Sequence, residues 1–194
     1  MILILDNYDS FTYNLYQLVG KYTQDITVLR NDKTTIEEIR KLNPTHIIIS
    51  PGPGNPTNPD DFGICDVILD EFKTTPILGV CLGHQGIYAH YNGEIIKTKP
   101  VHGKKDTIKH NKKSPLFKNI PEEFIITRYH SLTCNNKQLP SELKVTSTND
   151  DNIIMAIEHI KYPTYGIQFH PESIGSEYGD KLIENFLNIK QMEG

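Results

Sequence analysis

Three observations predict an α/β fold built on an open, mostly parallel, doubly wound sheet. The strand candidates at residues 2–5, 26–29, 46–50 and 76–80 are short and rich in Ile, Val and Leu, the composition of strands covered on both faces. Amphipathic segments separate them, giving a β-α-β-α-β-α-β-α order that a parallel sheet with crossover helices satisfies. Beyond residue 93 the strand-like pieces crowd together between Gly, Pro and Asn, which predicts antiparallel meanders. Some of these extend the main sheet and some form a second, small antiparallel sheet.

Each element has a local reason. Residues 2–5 open directly as a buried strand, without the basic stretch of a signal peptide. The polar loop 6–10 follows, and Ser10 stands where it can cap a helix over 11–21, in which Phe11, Leu15, Leu18 and Val19 recur at helical spacing. Thr35-Ile36-Glu37-Glu38 is a capping box that opens a short helix to Leu42. After the third strand, Pro51-Gly52-Pro53-Gly54-Asn55-Pro56 breaks all regular structure. Asp60 begins a helix with Ile64, Cys65, Ile68, Leu69 and Phe72 on one face, and the fourth strand runs into a helix over 81–91. Later strand pieces fall at 94–97, 107–109, 124–129, 143–147, 153–158 and 165–169. A closing helix over 178–190 turns Leu182, Ile183, Phe186 and Leu187 inward. No repeat, low-complexity segment or linker interrupts the chain, so a single domain is expected over 1–194.

Composition narrows the function class. At 194 residues, 37% hydrophobic and 23% charged, the chain can bury a core and does not read as disordered. A net charge of −4 argues against a general nucleic-acid footprint, and no apolar run approaches the roughly 18 residues of a membrane span. The three cysteines, at 65, 81 and 134, include no C-x-x-C pair and describe neither a zinc ribbon nor a disulfide framework. A cytoplasmic setting with reduced thiols is expected. The eight histidines show no metal-ligand spacing, so no metal is expected. His46 reads as a core-edge residue, and His102 as local structure or a partner surface.

The chemistry concentrates in three places. Gly79-Val80-Cys81-Leu82-Gly83 has the G-x-nucleophile-x-G spacing of a strand-to-helix elbow, with Cys in the nucleophile's place. Such a turn lifts the thiol to a helix N-terminus, where the helix dipole favours thiolate. A small buried hydrophobe is the competing account of Cys81; Cys65 and Cys134 read as structural. In Gln168-Phe169-His170-Pro171-Glu172-Ser173, Pro171 extends the chain, so His170 and Glu172 project together as base and orienter. A surface His-Pro turn is the alternative there. Gly52-Pro53-Gly54 fails as a dinucleotide fingerprint, since Thr57 stands where a third glycine is needed. It remains a plain turn or a side-chain-poor loop whose N–H groups serve as oxyanion donors, together with the N–H of Leu82.

With Asn7-Tyr8-Asp9-Ser10-Phe11-Thr12, His102-Gly103-Lys104 and Arg128-Tyr129-His130-Ser131-Leu132, these segments run in order along nearly the whole chain. Together they resemble the class I (triad) glutamine amidotransferases, whose fold is flavodoxin-like, and among them the glutaminase subunits that serve chorismate-utilising synthases. The resemblance implies Cys81 as nucleophile, His170 as base and Glu172 as orienter. It implies an oxyanion and glutamine site from Gly52, Gly54 and Leu82, with Gln85, Ser131 and Leu132 at the α-amino and α-carboxylate end of glutamine. It further implies no cofactor on this chain, Mg2+ on the synthase partner, and ammonia passed to that partner. The partner is either anthranilate synthase component I or aminodeoxychorismate synthase component I, with no role for nucleic acid or membrane. Two rival classes stay open: a stand-alone cysteine hydrolase that keeps the triad, and a flavodoxin-like binding module that needs no cysteine at an elbow.

Overall fold

The computed structural model describes residues 1–192, so the last two positions of the expected 1–194 domain lie outside the described residues. The strands are β1 (Ile2–Asp6), β2 (Ile26–Arg30), β3 (His46–Ile49), β4 (Ile77–Val80), β5 (Ile95–Lys97), β6 (Lys104–His110), β7 (Glu123–Arg128), β8 (Leu132–Cys134), β9 (Leu143–Asn149), β10 (Ile154–His159) and β11 (Thr164–Ile167). Nine of them form one sheet in the order β2-β1-β3-β4-β11-β10-β9-β6-β7, and β5 pairs with β8 in a separate two-stranded sheet. Neighbours from β2 to β11 run parallel, and those from β11 to β7 antiparallel. The predicted sheet, with its parallel first half and antiparallel extension, is therefore present.

Strand alternation builds the layers. Ile2 and Ile4 share one face with Ile48, Leu78 and Val80, where α1 (Thr12–Gly20) and α6 (Gly179–Leu187) cover them through Leu15, Val19, Leu182 and Phe186. Leu3 and Leu5 share the other with Ile47, Ile49 and Ile77, under α2 (Ile36–Leu42), α4 (Cys65–Glu71) and α5 (Leu82–His90). Each such side chain, fully buried, contributes about 1.5–3 kcal/mol against the entropy of ordering the chain. Among the described residues no helix is long and apolar enough to cross a membrane.

Several local expectations are corrected. Ser10 is exposed and caps nothing; α1 starts at Thr12 without a side-chain cap. Carboxylates organise that turn instead. Asp6 Oδ1 accepts from the N–H groups of Tyr8 and Asp9 and from Thr12 Oγ1, and Asp9 Oδ1 accepts from Phe11 N–H. A carboxylate has more acceptor sites than a hydroxyl, so it wins where several donors converge. The helix expected from Asp60 is two helices, α3 (Pro59–Phe62), capped by Asn58, and α4. They break at Gly63, whose φ is +53°, because the loop after β2 leaves no room: a Cβ there would lie 2.7 Å from the carbonyl oxygen of Asn31. The closing helix is shorter than expected, since Tyr178 adopts a left-handed conformation before Gly179 and regular bonding stops at Leu187. Strand β6 is longer than residues 107–109, because its exposed lysines hide the alternation. Strand β8 is a strand the sequence pattern does not signal. The capping box at Thr35 and Glu38 is present, with both bonds made.

The connections leave β1 toward β2 on one side and toward β3 and β4 on the other, so the β1–β3 crevice is the topological switch point. The loops after β1, β3 and β4, and the segment after β11, emerge on that same edge.

Candidate active site

Cys81 follows β4 directly and has φ +52° and ψ −98°, a conformation a residue with a Cβ adopts only under strain. Its N–H donates to the carbonyl of Ile167, 2.8 Å away, and its carbonyl accepts from Gln85 N–H at 3.0 Å. The residue thus ends the sheet ladder and starts α5 at once. The flanking glycines permit the sharp turn. A Cβ at Gly79 would sit 2.4 Å from the carbonyl carbon of Gly83, and one at Gly83 would sit 2.4 Å from the carbonyl oxygen of Ile49. The collision relieved at Gly79 lies across the elbow; that at Gly83 is with β3. The thiol meets the N-terminus of α5 and is 7% exposed.

His170 lies three residues past β11. Its N–H donates to Thr127 O (3.2 Å), and its own carbonyl accepts from Ser176 Oγ (2.6 Å). Its Nδ1 donates to Glu172 Oε1 at 2.6 Å, with the carboxylate side chain fully buried. The i, i+2 projection expected of the His-Pro-Glu segment is what the structure has. Nε2 makes no hydrogen bond of ordinary geometry within the chain but faces Cys81 closely enough to couple to its thiol. Burial works to lower the pKa of His170; hydrogen bonding to Cys81 and Glu172 outweighs it, and the net shift is upward, to about 10. The imidazole therefore holds its proton readily beside the sulfur. Phe11 and Tyr129 pack edge-on against the ring, with centroids 5.5 and 5.0 Å away.

The remaining expected residues group around this pair. Residues 52–54 pass over the start of α5, where Leu82 Cδ2 lies 2.6 Å from the place a Gly52 Cβ would occupy. The N–H of Leu82, in the first turn of α5, has no intrahelical acceptor. Gly54 has φ +91°. Gln85 Nε2 donates to Leu132 O (2.9 Å) and to Gln168 Oε1 (3.1 Å). Leu132 is half-buried, whereas Ser131 is exposed on the rim and touches none of these groups through its side chain.

Two further residues join the site. Gln168 is fully buried, and its Nε2 reaches Cys81 Sγ at 3.6 Å. A signal for it existed: Gln168 precedes His170 by two, so an extended chain turns both to one side. His130 accepts from Arg128 Nε at Nε2 (3.0 Å), which leaves the proton on Nδ1, and Nδ1 donates to Leu132 O (2.8 Å). Burial first, and then the Arg128 charge, pushes its pKa down to about 4, so the ring stays neutral. Arg128 is itself buried and pairs with Asp106 at 2.6 Å, where Asn149 Nδ2 also donates (2.9 Å). Cys65 and Cys134 are buried free thiols whose pKa values burial raises, which suits structural positions. His46 bonds the carbonyl of Ile189 at the core edge, and His102 packs on Tyr129 at the rim. The largest surface cavity, about 570 Å3, lies elsewhere, against Pro56, Phe62, Val67 and His90, and no cysteine lines it.

A strained cysteine at an elbow, coupled to a carboxylate-oriented histidine, is equipped for attack on a carbonyl. Residues 3–189 match the family model for glutamine amidotransferase class-I. The chain belongs to the class I glutamine amidotransferase family. It is 51% identical over 195 residues to the anthranilate synthase component 2 of Methanothermobacter thermautotrophicus, covering 97% of this chain and 99% of that one. It is 53% identical over 190 residues to the anthranilate synthase component 2 of Pyropia yezoensis, with 96% and 98% covered. A crystal structure of a GMP synthase subunit from Thermoplasma acidophilum superposes with a TM-score of 0.84 at 24% identity, over 96% of this chain and 91% of that one. That likeness is one of fold.

Proposed function

We propose that this amidotransferase is the glutaminase subunit of an anthranilate synthase, hydrolysing glutamine and passing ammonia to a chorismate-binding synthase subunit. The observation that carries the reading is the coupling of Cys81, held at φ +52°, to a histidine locked 2.6 Å from a buried glutamate. Cys81 is the nucleophile. Its thiolate attacks the side-chain carbonyl of glutamine, and the oxyanion is received by the N–H of Leu82 and the backbone of Gly52 and Gly54. His170 gives its proton to the leaving nitrogen, ammonia departs, and a γ-glutamyl thioester remains on Cys81. His170 then takes a proton from water as the water attacks the thioester, releasing glutamate and the thiol. Glu172 holds the Nδ1 proton throughout. Gln85, Ser131 and Leu132 form the end that binds the amino-acid group of glutamine.

The relatives named component 2 support the partnership and the tryptophan-forming reaction. In this reading the reaction is cytoplasmic, and Mg2+ belongs to the synthase. The docking edge is the rim of the site, where Tyr8, Tyr13 and Ile174 expose apolar surface beside His102 and Tyr129. The test is Cys81→Ser in the reconstituted complex. Glutamine-dependent anthranilate formation should fall by at least roughly 1,000-fold, while ammonia-dependent formation, which is the partner's chemistry, should survive. Near-normal glutamate release by the variant would overturn the reading.

A further inference from the structure

We propose that Asn7 is a positioning residue for the loop of residues 51–54, fixing from beneath the backbone that receives the oxyanion; this rests on the role just proposed for Gly52 and Gly54. Asn7 is the first residue past β1, at the switch point, and is 2% exposed. It grips the near end of the loop twice. Its N–H donates to Ser50 Oγ (2.9 Å), and its side-chain Nδ2 donates to Ser50 O (2.8 Å), the carbonyl of the peptide leading into Pro51. Gly52 then lies directly on Asn7. A Cβ at Gly52 would stand 2.6 Å from Asn7 Cβ, 2.7 Å from Asn7 O and 2.6 Å from Leu82 Cδ2. The loop backbone is thus sandwiched between Asn7 and the residue after the nucleophile.

The far end is tied to the same residue through a second asparagine. Asn7 Oδ1 accepts from Asn31 Nδ2 (2.9 Å), and that amide also donates to Asp61 O (3.0 Å). Asp61 Oδ2 in turn accepts from Asn55 N–H at 2.8 Å. Cys65 Sγ fills the other side of Asn7 Oδ1 at 3.4 Å. Both ends of the loop, Ser50 and Asn55, therefore trace back to one buried amide that carries no charge and cannot move a proton. Such a group acts on the reaction only by geometry. Removing it leaves Ser50 O and Asn31 Nδ2 without their partners in the core and frees a glycine-containing loop to turn its peptides.

The experiment measures glutamine hydrolysis by the full chain, alone and with its synthase, for Asn7→Ala and Asn7→Asp. Alkylation of Cys81 by iodoacetamide, which needs the thiolate but no oxyanion donor, runs alongside. The kcat should fall roughly 10- to 100-fold, less than the roughly 100- to 1,000-fold for losing a direct donor, with KM within about threefold and the alkylation rate within about twofold. Asn7→Asp should fare no better than Asn7→Ala, because its second oxygen would face Ser50 O. An unchanged kcat, or a kcat loss matched by an equal loss of alkylation, overturns the proposal. Should the Asn7 variants fail to fold, Asn31→Ala cuts only the far tie and should lower kcat several-fold by itself; an unchanged kcat there overturns the proposal equally. Cys81→Ser separates the two levels. If it keeps turnover, the reading of the site has failed; if it is inactive while Asn7→Ala is unimpaired, only the role of Asn7 has.

Discussion

The parallel and antiparallel halves of the main sheet meet at Cys81 and His170, and they support the site by different physics. On the parallel side, β1, β3 and β4 end in loops whose contribution is backbone: a strained cysteine, a glycine loop and the first N–H groups of a helix. Amides hold these loops, with Asn7, Asn31, Gln85 and Gln168 all buried or nearly so. On the antiparallel side, β6, β7 and β9 bring a buried ion pair, Arg128 with Asp106, and through it the orientation of His130. Preorganised backbone donors are thus fixed by neutral groups, which do not disturb the thiol–imidazole pair. Charge is kept one strand away, where it sets a tautomer.

Removing the charge from the antiparallel side puts the greatest strain on this division. Arg128→Ala leaves Asp106 with only Asn149 as a partner and should destabilise the fold by about 3–5 kcal/mol, the usual effect of orphaning a buried charge. The double variant Arg128→Met, Asp106→Leu should recover most of that loss, since an apolar pair of similar volume needs no compensation. Urea unfolding of both variants measures the difference. If the single variant loses less than about 1 kcal/mol, the ion pair is not structural, as for exposed pairs, and the contrast between the halves weakens.

The same division decides what could be read from the sequence. The elbow was legible because its two glycines and its cysteine lie within five residues and the steric conflict they relieve is local. The His-Pro-Glu projection was legible because an extended chain alternates, and the capping box because both bonds close within one turn. Ser10 misled, since the four-residue window that favours a hydroxyl cap does not weigh Asp6, which gathers three donors across the turn. Arg128 and Asp106 were not legible as a pair: β6 and β7 pair Asp106 with Ile126, and only the finished register brings the two charges together. Strand β8 escaped for a related reason, because three residues have too little pattern until β5 pairs with them. The two ties from Asn7 run through residues 24 and 43 positions away, and nothing local announces them.

Acid separates the two sides further, with one histidine on each. His84 in α5 has its pKa pushed down to about 3 by burial, and His130 its own down to about 4 by burial and Arg128. Unfolded, each would titrate near 6.5. Below that value the unfolded chain takes up protons that the folded chain refuses, so stability falls with pH. Integrated from pH 7 to pH 5, the loss is about 2 kcal/mol for each histidine. His170 runs the other way. Its raised pKa stabilises the fold fully below about 6.5, and that contribution is lost as pH rises through about 10. Urea unfolding across pH 5–7, with His84→Gln and His130→Gln removing one contribution at a time, checks the slopes. If neither variant flattens the acid limb, one or both rings are protonated in the folded chain.

The smallest expected effect probes the elbow itself, and its sign matters more than its size. Cys81 sits at φ +52° and ψ −98°, where only glycine is at ease, so the fold should store about 1–3 kcal/mol there. Comparing Cys81→Gly with Cys81→Ala removes the thiol from both and leaves the Cβ as the sole difference. Elsewhere glycine is the poorer choice: Ala89→Gly, in regular α5 structure, should lose about 0.5–1 kcal/mol. At position 81 the order should reverse, with Cys81→Gly more stable than Cys81→Ala by about 1 kcal/mol, because relief of the Cβ clash exceeds the entropy glycine gives up on folding. Both variants lack a nucleophile, so the stability gained is out of reach for an enzyme that uses the thiol, and strain at the elbow is part of how the sulfur is presented. Equal stability of the two variants would mean that the turn holds no strain, and the parallel half would then position its cysteine by packing alone.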